Sequence, residues 1–105
     1  MKFIYSMDYG ERRLQTIMLT DRFDYDIEIS HHSGVDYVDV TFNDDGEEFH
    51  TVHVKIPKGE GENAIEFIER LLVERISTSD CVYLDSTVYL ALARCEIVCK
   101  WKVEE

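Results

Sequence analysis

An α+β domain, with a largely antiparallel β-sheet of about five to seven strands packed against one main α-helix over about residues 63–76, is what this sequence of 105 residues predicts. Three observations lead there. Apolar and polar residues alternate with period two through most of the stretch from Phe23 to Ile56. The apolar period lengthens to that of a helix after Pro57. Alternation returns near the C-terminus, where Cys95, Ile97, Cys99, Trp101 and Val103 are interleaved with Arg94, Glu96, Lys100 and Lys102.

The elements follow in order. Short strands are expected at Phe3 to Met7 and at Leu14 to Leu19. Phe23, Tyr25, Ile27 and Ile29 alternate with Asp24, Asp26, Glu28 and Ser30, the pattern of a half-buried strand. His31-His32-Ser33-Gly34 reads as a turn. A four-residue loop there sets Ile27 against Val38, Tyr25 against Val40, Phe23 against Phe42 and Asp26 against Asp39. Asn43-Asp44-Asp45-Gly46 supplies a second turn, with a loop of either three or five residues, before a strand carrying His50, Val52, Val54 and Ile56. Asn63 is a candidate N-cap with Glu66 three residues on, and Ala64, Ile65, Ile68, Leu71, Leu72 and Ile76 form the stripe of the helix. Cys81 to Leu84 reads as a short strand. Thr87 to Ala93 is open between a central strand and a short helix capped by Ser86, and its Val, Tyr and Thr content favours the strand.

No repeat, low-complexity tract or linker divides the chain, so residues 1–105 are expected to form a single domain, long enough to bury roughly 65% of the surface of its unfolded chain. The Met1 to Asp8 stretch is too short in apolar residues for a secretory leader, and no apolar run approaches the roughly 20 residues of a membrane-spanning helix. Three cysteines, an odd number, suit a reducing compartment, and a cytoplasmic location is expected. The formal net charge of −11 opposes direct contact with nucleic acid or an anionic membrane and favours basic proteins as partners.

Motifs for cofactor chemistry are weak. Gly59-Glu60-Gly61-Glu62-Asn63-Ala64 matches G-x-G-x-x-A, but Glu60 and Glu62 would stand where a pyrophosphate must approach, and the glycines suit an ordinary turn. Cys95 and Cys99, if on a strand, lie roughly 13 Å apart, too far for one zinc or one disulfide; only a helix brings the thiols together. His50 and His53 on a strand point to opposite faces. Neither cofactor nor metal is expected. No nucleophile and base stand at a known catalytic spacing, so the chain is not read as an enzyme.

The strongest signal is charge. From Phe23 to Val54 there are nine carboxylates and neither Lys nor Arg. A solvated sheet face needs acids only for solubility, but such surfaces normally mix both signs. Acids two residues apart on a strand recur about every 6.8 Å, a charged row that a phosphate-gripping protein can accept as a backbone. The candidate partner-binding residues are Asp24, Asp26, Glu28, Tyr37, Asp39, Asp44, Asp45, Glu47, Glu48 and His53.

In size, charge and α+β pattern the chain resembles two loose groups: immunity proteins against bacterial nuclease toxins, and phage-encoded inhibitors of host defence nucleases, anti-CRISPR proteins among them. The resemblance rests on gross properties, and no family residue carries over. It implies a non-catalytic acidic inhibitor of a basic partner, an immunity protein first and a DNA-mimicking phage inhibitor second. A small homo-oligomerising module, with Trp101, Tyr83 or Tyr89 at its interface, is the reading from another class.

Overall fold

The computed structural model describes residues 2–5, 15–18, 20–78 and 81–101, and for 2–5, 15–18 and 81 the backbone alone. Strands β1 (Lys2–Tyr5), β2 (Gln15–Met18), β3 (Phe23–His32), β4 (Val35–Asp44) and β5 (Glu47–Ile56) are followed by helix α1 (Gly61–Thr78), strand β6 (Cys81–Tyr83) and helix α2 (Leu84–Cys99). The strands divide between two sheets. One has the order β3-β4-β5, antiparallel throughout; the other is β2-β1-β6, in which β1 runs antiparallel to β2 and parallel to β6. The α+β class is as expected, but among the described residues no sheet exceeds three strands, so the single sheet of five to seven is not found there, and there are two helices and not one.

The antiparallel sheet is held in register by two tight turns. Ser33 and Gly34 both take positive φ, 54° and 77°, and Asp45 and Gly46 do the same at 54° and 82°. Two consecutive positive values mark the type I′ hairpin, whose twist matches that of the flanking strands. The loop at 31–34 is therefore two residues long, and His31 and His32 belong to β3. This shifts the expected pairing by two: Tyr25 faces Phe42, Ile27 faces Val40, Ile29 faces Val38, and Glu28, not Asp26, faces Asp39. A shift of two keeps every side chain on its face, so the apolar phase survives the correction. At the second hairpin neither the three- nor the five-residue loop forms. The turn has two residues, and a bulge between Phe42 and Asn43 restores His50, Val52 and Val54 to the core side.

Val38, Val40, Phe42, Val52, Val54 and Ile56 of this sheet are buried together with Ala64, Ile68, Leu71 and Leu72 of α1 and Leu84, Val88, Ala91, Leu92 and Cys95 from α2. Phe23, Tyr25, Ile27 and Ile29 pack on the same cluster from β3, the strand less fully covered. Burial of each large side chain contributes about 1.5–3 kcal/mol.

Helix α1 begins two residues before the expected start. Ala64 N–H donates to Glu60 C=O at 3.0 Å, while the Asn63 amide donates to Glu60 Oε2 at 2.7 Å and caps nothing. Both glycines of the G-x-G-x-x-A stretch have structural causes. Gly59 adopts φ +84°, and a Cβ at Gly61 would come 2.8 Å from Ile29 Cγ1. A side chain at 61 would force either the Ile29 side chain or the helix start to shift.

The C-terminal third departs most from expectation. Thr87 to Ala93 is helical and so is the expected strand from Cys95, as far as Cys99; the chain leaves the helix at Lys100, in the left-handed region at φ 59°. Val103 and Lys102 of that expected strand lie outside the described residues, as do Met7, Leu14 and Leu19 at the ends of the first two. Burial along α2 falls at 84, 87, 88, 91, 92 and 95, a helical period. The sequence hid it because the outward face also carries apolar residues: Tyr89, Leu90, Ile97 and Val98 are exposed. Leu84 starts α2 directly after β6, so Ser86 lies in its first turn and is not the cap.

Candidate partner-binding surface

The face of β3-β4-β5 turned away from the core is built by strand alternation. On β3 it presents Asp24, Asp26 and Glu28, all exposed. Beside them on β4 stand Asn43, Thr41 and Asp39, and on β5 Glu48, Thr51 and His53. Adjacent strands lie about 4.8 Å apart, so Glu28 and Asp39 are two carboxylates in one cross-strand pair. Among the described residues no Lys or Arg forms an ion pair with Asp24, Asp26 or Glu28.

At one edge of this face the character changes. Nδ1 of His53 donates to Oδ1 of Asp39. The His53 ring stacks on Tyr37 with centroids 4.3 Å apart and planes 14° from parallel. His32 completes the group, 5.7 Å from Tyr37 and 6.3 Å from His53. Lys55 pairs across from Tyr37 in the ladder. The acidic rows thus end at an aromatic and basic step formed by His32, Tyr37, His53 and Lys55.

The other acids of the run are placed differently. Asp44 accepts hydrogen bonds from the backbone N–H of Thr20, at 3.0 Å, and from its hydroxyl. Asp45 pairs with Arg22 at 2.8 Å, a cation just outside the uncharged-by-Lys-or-Arg segment. Both acids therefore tie the second hairpin to the 20–22 turn. Glu47 and Glu48 are exposed at the same end, with Glu48 accepting from the Thr51 hydroxyl at 2.9 Å. Asp36 faces the core side, 7% exposed. It accepts from Gly59 N–H at 3.1 Å and contacts His31 Nδ1 at 2.6 Å. The Gly59 N–H first, and then His31, hold its carboxyl below its ordinary pKa.

The structure thus brings Asp24, Asp26, Glu28, Asp39, Glu48, Tyr37 and His53 onto one face, and leaves Asp44, Asp45 and Glu47 at its hairpin end. The candidate residues read from sequence lack His32, which reads there as part of a turn, and Lys55; His32 joins the face because β3 runs through the two histidines, and Lys55 follows from the alternation of β5. Sequence reading also missed the contact between His50 Nε2 and Asp85 Oδ1, which joins β5 to the first turn of α2. Both side chains are 19% exposed. Their separation by 35 residues left no local signal.

Elsewhere, a shallow pocket of about 150 Å³ is lined by Arg75, Val82, Tyr83, Ser86, Thr87 and Leu90. Small-molecule sites usually start at about 300 Å³. Among the described residues no group of three or more His, Cys, Asp or Glu is placed to hold a metal ion, and no helix is long and apolar enough to cross a membrane. No protein-family model, curated protein or solved structure matches the chain.

Proposed function

We propose that this chain is a non-catalytic acidic inhibitor that binds in the cytoplasm to a basic protein and covers its active site or nucleic-acid groove. The partner we place first is a bacterial nuclease toxin, which makes the chain an immunity protein. A host defence nuclease inhibited by a phage-encoded DNA mimic is the second form of the same reading. The observation that carries it is the Glu28 and Asp39 pair on a face that also bears Asp24 and Asp26. Like charges directly opposite each other destabilise a ladder. A surface kept only for solubility gains nothing from such a pairing, whereas a surface that meets a cationic groove recovers the cost on binding.

The test is capture of partners from the source lysate, followed by association kinetics of wild type and the variant Asp24→Asn, Asp26→Asn, Glu28→Gln, Asp39→Asn at low and high salt. The variant should remain folded, associate more slowly and lose most of its salt dependence, because steering charges act mainly on the on-rate. Equal rates for the two proteins at both salts, or capture of acidic and neutral proteins only, would remove the reading.

A homo-oligomeric module is favoured by a different observation. Ile97 and Val98 are 79% and 66% exposed on α2, and Tyr83, Tyr89 and Leu90 are exposed nearby. A helix apolar on both faces is ordinarily buried on both. Mass determination in solution separates the two readings: an oligomer runs above 12.3 kDa.

A further inference from the structure

The final turn of α2 brings Cys95 and Cys99 onto one side of the helix with their sulfurs 3.8 Å apart. Both are free thiols; Cys95 is buried and Cys99 half-buried. Residues four apart in a helix have Cα atoms about 6 Å apart. Disulfides accept Cα separations of about 4.4–6.8 Å. In a disulfide the Cβ atoms also stand about 3.5–4.5 Å apart and the sulfurs about 2.05 Å, whereas residues four apart in a helix hold their Cβ atoms about 5–6 Å apart, so the bridge requires the last turn to open. The turn is free to open on its C-terminal side, because the helix ends at Cys99 and Lys100 already stands in the left-handed region.

We propose that Cys95 and Cys99 are a peroxide-sensitive dithiol that closes to a disulfide within the last turn of α2. This is independent of the acidic face and of what binds there. The two thiols have unequal roles. Burial, ahead of the hydrogen bond to Cys99, pushes the Cys95 thiol up to about 12, so Cys95 is a poor first nucleophile. The more accessible Cys99 reacts first. Its thiolate attacks one oxygen of hydrogen peroxide, the O–O bond breaks, and the departing hydroxide takes up a proton to leave as water. Cys99 is then a sulfenic acid. The Cys95 sulfur gives up its proton and attacks Cys99 Sγ. The S–O bond breaks, the S–S bond forms and a second water leaves. Two thiols are oxidised by two electrons, and one peroxide is reduced to two waters.

Closure has a built-in reporter. Trp101, the sole tryptophan, follows two residues after Cys99 and packs on the core. Ile97 and Val98, the most exposed large apolar residues of α2, sit inside the five-residue loop that the bridge would close. Oxidation therefore re-aims the apolar end of this helix.

The experiment treats the folded full chain with hydrogen peroxide, blocks remaining thiols and digests with trypsin. Arg94 and Lys100 bound a peptide, residues 95–100, that contains both cysteines. The expected product is this peptide lighter by two hydrogens and unblocked, restored by dithiothreitol, with a shift in Trp101 emission of matching time course. In Cys99→Ser the Cys95 thiol should stay unoxidised and the emission unchanged. In Cys95→Ser, Cys99 should progress to sulfinic acid. Copies cross-linked through Cys99, a wild-type Cys99 sulfinic acid beside a free Cys95, or two unreacted thiols would each overturn the proposal.

Discussion

Glu28 stands directly across from Asp39 in the β3-β4 ladder, and Asp39 in turn meets His53 on β5, so three strands contribute one row of alternating consequence: acid, acid, imidazole. The imidazole serves Asp39. Glu28 has the opposing carboxylate as its cross-strand neighbour.

Glu28→Gln should therefore raise stability, by about 0.2–1 kcal/mol, the range of cross-strand pair effects. Urea denaturation at low ionic strength reads this as a higher midpoint at unchanged slope. Added salt should shrink the difference, since it screens the repulsion in wild type. A lower midpoint for the variant would show that Glu28 is held by a favourable contact.

Asp36 links acid stability to the fold. Its carboxyl is held below the ordinary value of 3.8 by Gly59 N–H and His31. A group whose folded pKa is depressed contributes stability that is fully present above its unfolded pKa and is lost as pH falls through the folded one. Wild type should thus lose stability below about pH 4, the ordinary carboxylate range. Asp36→Asn should be less stable at neutral pH and have a flatter profile in that window. Chemical denaturation of both proteins at pH 7 and pH 3 checks it; parallel profiles would exclude Asp36 as a contributor.

His50 and Asp85 pin α2 to the sheet. His50→Ala and Asp85→Ala should each destabilise, and the double variant should lose less than the sum, with a coupling of about 0.5–3 kcal/mol as expected for contacting groups. A double-mutant cycle by denaturation measures it. Strict additivity would mean the contact contributes nothing.

The buried core of β4 and the outer face of α2 should respond differently. Phe42 is fully buried and stacks on Phe23, with centroids 6.1 Å apart, so Phe42→Ala should cost about 3–5 kcal/mol. Ile97, 79% exposed, should accept Ile97→Lys within about 0.5 kcal/mol. A large loss at Ile97 would indicate that this residue is covered in solution, and a change in native mass would identify a second copy as the cover.

Sequence alone determined the parts governed by local periodicity. The phase of β3, β4 and β5 was legible because a strand that buries one face must alternate, and the stripe of α1 because its polar face contrasts with its apolar one. The acidic outer face followed from the same alternation: Asp24, Asp26, Glu28 and Asp39 could point nowhere else once Tyr25, Ile27, Val38 and Val40 faced the core. Tertiary structure decided what periodicity cannot encode. Register depended on whether Ser33-Gly34 alone made the turn, which moved Asp39 from Asp26 to Glu28 without changing any residue's face. Helix α2 carries apolar residues on both sides, so its period vanished from the sequence and only packing on α1 and the sheet selected the helix. The same choice brought Cys95 and Cys99 from strand separation into contact. His50 and Asp85 met only because α2 docks where it does, and a contact across 35 residues is set by packing geometry that no local pattern contains.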